Sequence, residues 1–133
     1  MRHYRWAYLL ARLPIAMSML GHGFIRLTKL NQFSAGMVTH FSHSFLPDWI
    51  VQPFSYILPF AELLTGILLL LGWLTKFGLF LGVALMLVLI FGSSMSEEWQ
   101  NVAIQLFYSL YLAGLFACIG YNKYSVDGYL SEK

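Results

Sequence analysis

Four long runs of apolar residues dominate the chain and are separated by short polar stretches. They cover roughly residues 6–26, 54–74, 77–92 and 102–121. A helix of about 20 residues crosses the roughly 30 Å hydrocarbon core of a bilayer. Only helices and closed barrels satisfy their backbone hydrogen bonds there, and the alternation typical of barrel strands does not occur. The pattern therefore predicts an all-α integral membrane four-helix bundle, built as a single membrane domain over residues 1–133.

A more polar stretch between the first two runs carries apolar residues at helical spacing. These residues are Leu30, Phe33, Met37, Phe41 and Phe45. They recur every three or four positions, which places them on one face of a helix. The pattern predicts an amphipathic helix over roughly residues 31–45, lying in the outer membrane interface between spans 1 and 2.

The composition supports a membrane protein and excludes some functions. Hydrophobic residues make up 59% of the chain and charged residues only 11%, against about 25% charged in a typical soluble domain. The net charge of +2 is scattered, so nucleic acid is not an expected partner. Cys118 is the only cysteine, which excludes an intrachain disulfide or a CxxC redox pair. A redox role would therefore need a bound cofactor or a partner subunit.

The distribution of charges outside the spans predicts the orientation. Basic residues on one side are Arg2, Arg5, Lys76, Lys123 and Lys133. The opposite side carries the acidic turn SSMSEEWQ and a loop with Asp48. Because cytoplasmic loops carry an excess of Lys and Arg, both termini are expected in the cytoplasm, and the protein in the inner membrane of a bacterium.

Several ionisable residues lie inside the predicted spans. Arg12, His22 and Arg26 fall within an arc of roughly 80° on the first helix. Glu62 is the only acid inside any predicted span, and antiparallel packing brings it to a depth similar to that of His22. A charge at the bilayer centre costs about 2.5–3.5 kcal/mol, so such residues usually face the bundle and pair. The pattern predicts an internal polar pocket, with Glu62 opposite these cations.

These residues have a functional and a structural interpretation. In the functional one, Glu62 and His22 are catalytic and handle protons. The candidate cofactor-binding residues are Arg12, Arg26, Lys29 and His40. In the structural one, the cations extend to lipid headgroups, His22 is a packing residue and Glu62 forms only an ion pair.

His40 has a second possible role as a metal ligand. It forms an HxxH motif with His43, but no further His, Cys or Glu completes a known zinc pattern. No metal site is predicted. His40 lies near the apolar face of the amphipathic helix and is expected to close the outer mouth of the pocket.

The order of these features resembles the DoxX family of small membrane proteins. The resemblance is carried by ARLPIAMSMLGHGFIRLTKL, FLPDW, FAELLTGILLLLGWLTKFG and the closing NKYSVDGYL. It runs along nearly the whole chain and implies recurring family positions at Arg12, Lys29, Glu62, Gly66 and Gly72. Some members are described as the small subunit of a thiosulfate:quinone oxidoreductase and others as membrane anchors. The resemblance therefore implies a quinone-facing membrane subunit.

Two functional hypotheses follow. In the first, the protein binds a quinone or a similar lipophilic molecule within an oxidoreductase complex, and a partner subunit supplies the electrons. In the second, it is a non-catalytic scaffold that anchors a partner protein, and its buried charges only stabilise the bundle. A small transporter is a third, weaker alternative, because four short spans form a pore only as an oligomer. The expected partners are the bilayer and a partner subunit or a second copy of the chain.

Overall fold

The computed structural model describes residues 2–133, which form six α-helices, one short 3-10 helix and no β-strand. The α-helices are α1 (Arg2–Thr28), α2 (Leu30–His40), α3 (Asp48–Leu71), α4 (Thr75–Met95), α5 (Trp99–Ala117) and α6 (Val126–Ser131). The all-α class is confirmed. The architecture is six helices rather than a plain four-helix bundle, since α2 packs mainly on α3 and α6 contacts the turn between α3 and α4.

Three of the described helices, α1, α3 and α4, are long and apolar enough to cross a membrane. The chain is therefore an integral membrane protein. Helix α5 has 19 residues but is less apolar, because Gln100, Asn101, Gln105 and Ser109 lie along it. A fourth crossing by α5 stays a prediction.

The amphipathic helix is shorter than the predicted range of residues 31–45. Helix α2 ends at His40, and turns follow. The Ser42 hydroxyl donates to the Thr39 carbonyl at 2.7 Å and the Ser44 hydroxyl to the Phe41 carbonyl at 2.7 Å. Serine hydroxyls that bond to nearby backbone groups compete with helical hydrogen bonds, which explains the early end.

The second apolar helix is displaced relative to the prediction of residues 54–74. Helix α3 begins at Asp48, directly after Pro47 in an extended conformation, and ends at Leu71. Gly72 terminates it with a φ of +67°, a left-handed conformation that glycine adopts without steric cost. The turn to α4 is therefore made by residues 72–74, ahead of the predicted Thr75–Lys76 turn.

Helices α1 and α3 pack at very short distance through two glycines. A Cβ on Gly23 would lie 2.5 Å from the backbone nitrogen of Leu63, and a Cβ on Gly66 would lie 2.5 Å from that of Leu20. Small residues at helix crossings in membranes allow such close packing. This contact aligns α1 with α3 and sets the relative depth of the residues that they carry.

The C-terminal segment caps the start of α4. The Asp127 carboxylate accepts hydrogen bonds from the backbone N–H groups of Leu74 at 2.9 Å and Thr75 at 2.8 Å. The first N–H groups of a helix have no partner within the helix, and a negative charge there interacts favourably with the helix dipole. Asp127 therefore holds the C-terminal segment against the α3–α4 turn.

We expect Asp127→Ala to lower the free energy of unfolding by about 1–2 kcal/mol, the typical cost of losing a helix cap. The measurement is thermal unfolding in a mild detergent. Glu132→Ala, which removes an exposed acid of the same segment, is the matched control and should change stability by less than about 0.5 kcal/mol. Equal effects of the two substitutions would contradict the capping role.

Candidate functional site

A cavity of about 640 Å³ lies among α2, α3, α4 and the start of α5. Most of its wall is apolar. The aromatic residues that line it are Phe33, Phe41, Phe54 and Phe91. Pockets of about 300–1,000 Å³ with apolar walls and a few polar groups are typical of small-molecule sites, so this cavity has the size and character of a site for a lipophilic ligand.

Arg26 supplies a positive charge to the cavity wall. Its Nη1 donates to Oε1 of Glu62 and forms an ion pair with it. Its guanidinium carbon lies 4.8 Å from the ring centroid of Phe33, within the range of a cation–π interaction. The carboxylate and the aromatic ring thus hold the guanidinium in one position beside the cavity.

Glu62 lies behind the wall of the cavity. It is 3% exposed, and it is not among the cavity-lining residues. Its Oε2 is buried and has no hydrogen-bond partner among the described residues. Any influence of Glu62 on a ligand therefore passes through Arg26.

A second set of polar side chains, here called the α4–α5 polar group, also lines the cavity. It consists of Ser93, Glu98, Asn101 and Gln105. Glu98 Oε1 contacts His40 Nε2 on α2, and Glu98 Oε2 accepts from Asn101 Nδ2 at 2.7 Å. His40 thus lies on the cavity wall, and this pair connects α2 to the beginning of α5.

Gln105 is the polar residue of this group that lies furthest along α5. Its Nε2 donates to Ser93 Oγ at 3.1 Å. Its Oε1 is buried and has no hydrogen-bond partner among the described residues. Buried polar atoms are nearly always paired, so Gln105 has an unused acceptor beside the cavity.

The other candidates on and after the first helix lie outside the cavity. His22 is exposed, with its Nδ1 donating to the Ser18 carbonyl at 2.7 Å. It borders a shallow hollow that it shares with Gly21 and Arg26. Lys29 is exposed between α1 and α2 and is not a cavity-lining residue. The structure therefore brings Arg26, Glu62 and His40 to the cavity region but not His22 or Lys29.

Arg12 belongs to a different cluster. It is 2% exposed and donates to Asn122 Oδ1 at 2.5 Å and to the Tyr124 carbonyl at 3.2 Å. Asn122 in turn donates to Thr75 Oγ1 at 2.9 Å. Arg12 and Arg26 share a helix face but lie about 21 Å apart along the axis at 1.5 Å per residue. Arg12 therefore binds the C-terminal segment and does not reach the cavity.

Sequence reasoning missed the α4–α5 polar group as a site. Gln105 carried a usable signal, because it is a polar residue inside the predicted fourth span. The sequence pattern assigns the turn that contains Glu98 only a role in the orientation of the chain. Within residues 2–133, no three or more His, Cys, Asp or Glu side chains come together in a way that could hold a metal ion.

Comparison with known proteins gives a family. The family described as Methylamine utilisation protein MauE matches residues 4–100, which include α1 from its third residue onwards and all of α2 to α4. No curated protein and no solved structure matches this chain. The match is to a family of small integral membrane proteins but not to the DoxX family specifically. Because it covers well over half of the chain, this protein belongs to the MauE family.

Proposed function

We propose that the protein is a membrane subunit that binds a quinone, or a similar lipophilic ring compound, in the cavity and acts within a redox system. The observation that carries this proposal is the aromatic-lined cavity of about 640 Å³ with ionisable side chains on its wall. A quinone needs an apolar space for its ring and tail, hydrogen-bond donors for its carbonyl oxygens, and groups that exchange protons.

Arg26 is the donor in this proposal. A guanidinium carries five N–H groups in a fixed plane, and Glu62 engages Nη1. The remaining N–H groups are available to a carbonyl oxygen in the cavity. Glu62 orients Arg26 and offsets its charge, so it acts as a positioning residue. This assignment replaces direct proton transfer by Glu62, because Glu62 does not line the cavity.

The His40–Glu98 pair is the proton-exchanging group in this proposal. Both residues line the cavity, and they contact each other. A quinone takes up two electrons and two protons when it is reduced, and His and Glu side chains are common proton donors and acceptors. The electrons come from a partner protein, since the chain carries no evident electron-transfer group of its own.

The family description suggests which redox system this is. The description of the matching family names methylamine utilisation. We therefore propose that the protein acts in the system that uses methylamine and binds a partner subunit of that system. The resemblance to the DoxX family supports the quinone assignment. The expected location is the bacterial inner membrane, with both termini in the cytoplasm.

One observation favours the scaffold alternative. The Arg26–Glu62 pair is closed, as it would be if these charges only stabilised the helix packing. In that case the cavity would hold lipid chains, and its polar groups would have no ligand. The two functions therefore differ in what occupies the cavity.

The test is an organic extract of the protein after gentle purification in a mild detergent, analysed by mass spectrometry. We expect a quinone in an amount comparable to that of the protein. Leu89→Trp fills space at the cavity wall and should remove the quinone. Ile104→Trp, on an exposed position of α5, is the matched control and should retain it. A quinone-free extract, or equal retention by the two variants, would favour the scaffold function.

A further inference from the structure

We propose that the cavity binds the reduced, hydroxyl-bearing form of its ring ligand more tightly than the oxidised form, and that Gln105 is the residue that discriminates between them. This inference rests on the proposed function, because it specifies the ligand of the same cavity. It concerns equilibrium binding and involves no chemical step.

The first argument is the hydrogen-bonding state of Gln105. Its amide nitrogen is engaged by Ser93, while Oε1 is buried without a partner among the described residues. An unpaired buried acceptor is unfavourable, and a donor that reaches it removes this cost. Because Gln105 lines the cavity, we assign a hydroxyl of the bound ligand as the donor to Oε1.

The second argument is the chemistry of the two ligand forms. The oxidised ring carries carbonyl oxygens, which accept hydrogen bonds but cannot donate them. The reduced ring carries hydroxyl groups, which do both. A hydroxyl oxygen can accept from Arg26, as a carbonyl does, but only the reduced form can donate to Gln105. The reduced form therefore satisfies both polar residues and the oxidised form only one.

Ser93 supports this selectivity because its hydroxyl accepts from the amide nitrogen of Gln105 and leaves the amide oxygen free. It is 6% exposed and lies on α4, so its hydroxyl occupies a defined position. With Nε2 on Ser93 Oγ, the oxygen is the free end of the amide. The reverse orientation would present the NH₂ group instead and would favour the oxidised ring. Which of the two ring forms binds more tightly therefore tests whether the amide oxygen or the NH₂ group of Gln105 is free for the ligand.

The experiment uses the full chain in mild detergent under anaerobic conditions. The probes are a decyl-substituted benzoquinone and its hydroquinone, titrated by isothermal calorimetry. We expect the hydroquinone to bind about threefold to tenfold more tightly, the effect of one hydrogen bond. Tenfold tighter binding of the reduced form would raise the midpoint potential of the bound couple by about 30 mV, which a redox titration measures independently.

Three variants separate the effect of Gln105 on the binding preference from general effects on the fold. Gln105→Leu should remove the preference while the oxidised ring still binds. Ser93→Ala, which frees the amide, should bring the affinities for the reduced and the oxidised ring close to equal. Gln100→Leu, at an exposed position of the same helix, should leave it unchanged. If Gln105→Leu does not fold, Ser93→Ala still tests the proposal.

The outcomes distinguish this inference from the proposed function. Equal binding of the two rings, or tighter binding of the oxidised ring, overturns the role of Gln105 while the ring-binding function stands. A preference that survives in Gln105→Leu also overturns it, and so does an unchanged preference in Ser93→Ala if Gln105→Leu does not fold. If the unmodified protein binds neither ring, the proposed function itself fails.

Discussion

Arg26→Gln is expected to destabilise the protein by about 3–5 kcal/mol, whereas Glu62→Gln should have a smaller effect on stability but abolish ligand binding. The asymmetry follows from burial. The Glu62 side chain is 4% exposed and that of Arg26 is 30% exposed. Removing Arg26 leaves a buried carboxylate without its cation, which is strongly destabilising. Removing the charge of Glu62 leaves an arginine that can extend towards the headgroups.

The loss of binding in Glu62→Gln has a separate cause. An amide matches a carboxylate in size, so the packing around position 62 is nearly unchanged. However, it no longer holds the guanidinium by charge, and Arg26 loses its fixed position at the cavity wall. The measurements are thermal unfolding in detergent and the quinone content of the organic extract, made on the same preparations.

Two further variants complete this test. Arg26→Gln combined with Glu62→Gln should recover much of the stability lost in Arg26→Gln alone, because no buried charge remains unpaired. Lys29→Gln removes an exposed cation from the same region and is the matched control, with little change expected in stability. Equal destabilisation by Arg26→Gln and Glu62→Gln, without a separate loss of binding, would support the scaffold function.

The meeting of Arg26 and Glu62 is the part of the site that sequence reasoning anticipated best. A short acid inside an apolar span needs a cation at its own depth, and only a few cations satisfied that condition. Helical periodicity placed Arg12 and Arg26 on one face, and both are at least partly buried. Periodicity carries no information about partners beyond the helix, so the contact of Arg12 with Asn122 could not be predicted.

Other features depend on contacts that leave no periodic pattern. The end of α2 at His40 is set by serine hydroxyls that bond to local carbonyls, although the apolar spacing continues to Phe45. The α4–α5 polar group joins residues from two helices and the turn between them. Its members become neighbours only through the packing of α4 on α5, which the spacing along either helix does not reveal.

Gly66→Ala and Gly23→Ala are each expected to lower stability by about 1–3 kcal/mol, the usual cost of overpacking a core. Values near the upper end are expected because the added methyl group meets backbone atoms, which cannot rotate away. At Gly66 it would lie 2.5 Å from the nitrogen of Leu20, and at Gly23 2.5 Å from that of Leu63. The helices α1 and α3 would have to separate. Thermal unfolding in detergent measures the effect.

Gly21→Ala and Gly114→Ala are the matched controls, since no atom lies within 4 Å of a Cβ at either position. Alanine is favoured over glycine inside a helix by about 1 kcal/mol, so both controls should be neutral or stabilising. A difference in sign between the buried and the open glycines is therefore expected, and on α1 the two kinds, Gly23 and Gly21, can be compared within one helix. Destabilisation by the controls as well would mean that these open positions contact a partner.

The Gly23 variant should also weaken ligand binding. Gly23 lies one turn before Arg26 on α1. A Cβ at this position would meet backbone atoms of Pro59 and of Leu63, the residue that follows Glu62 on α3. Separation of the helices at this point lengthens the Arg26–Glu62 contact and releases the guanidinium from the cavity wall. Gly23→Ala should therefore lose more quinone than Gly66→Ala at similar stability. Equal retention by the two variants would show that the close helix contact serves packing alone and does not position Arg26.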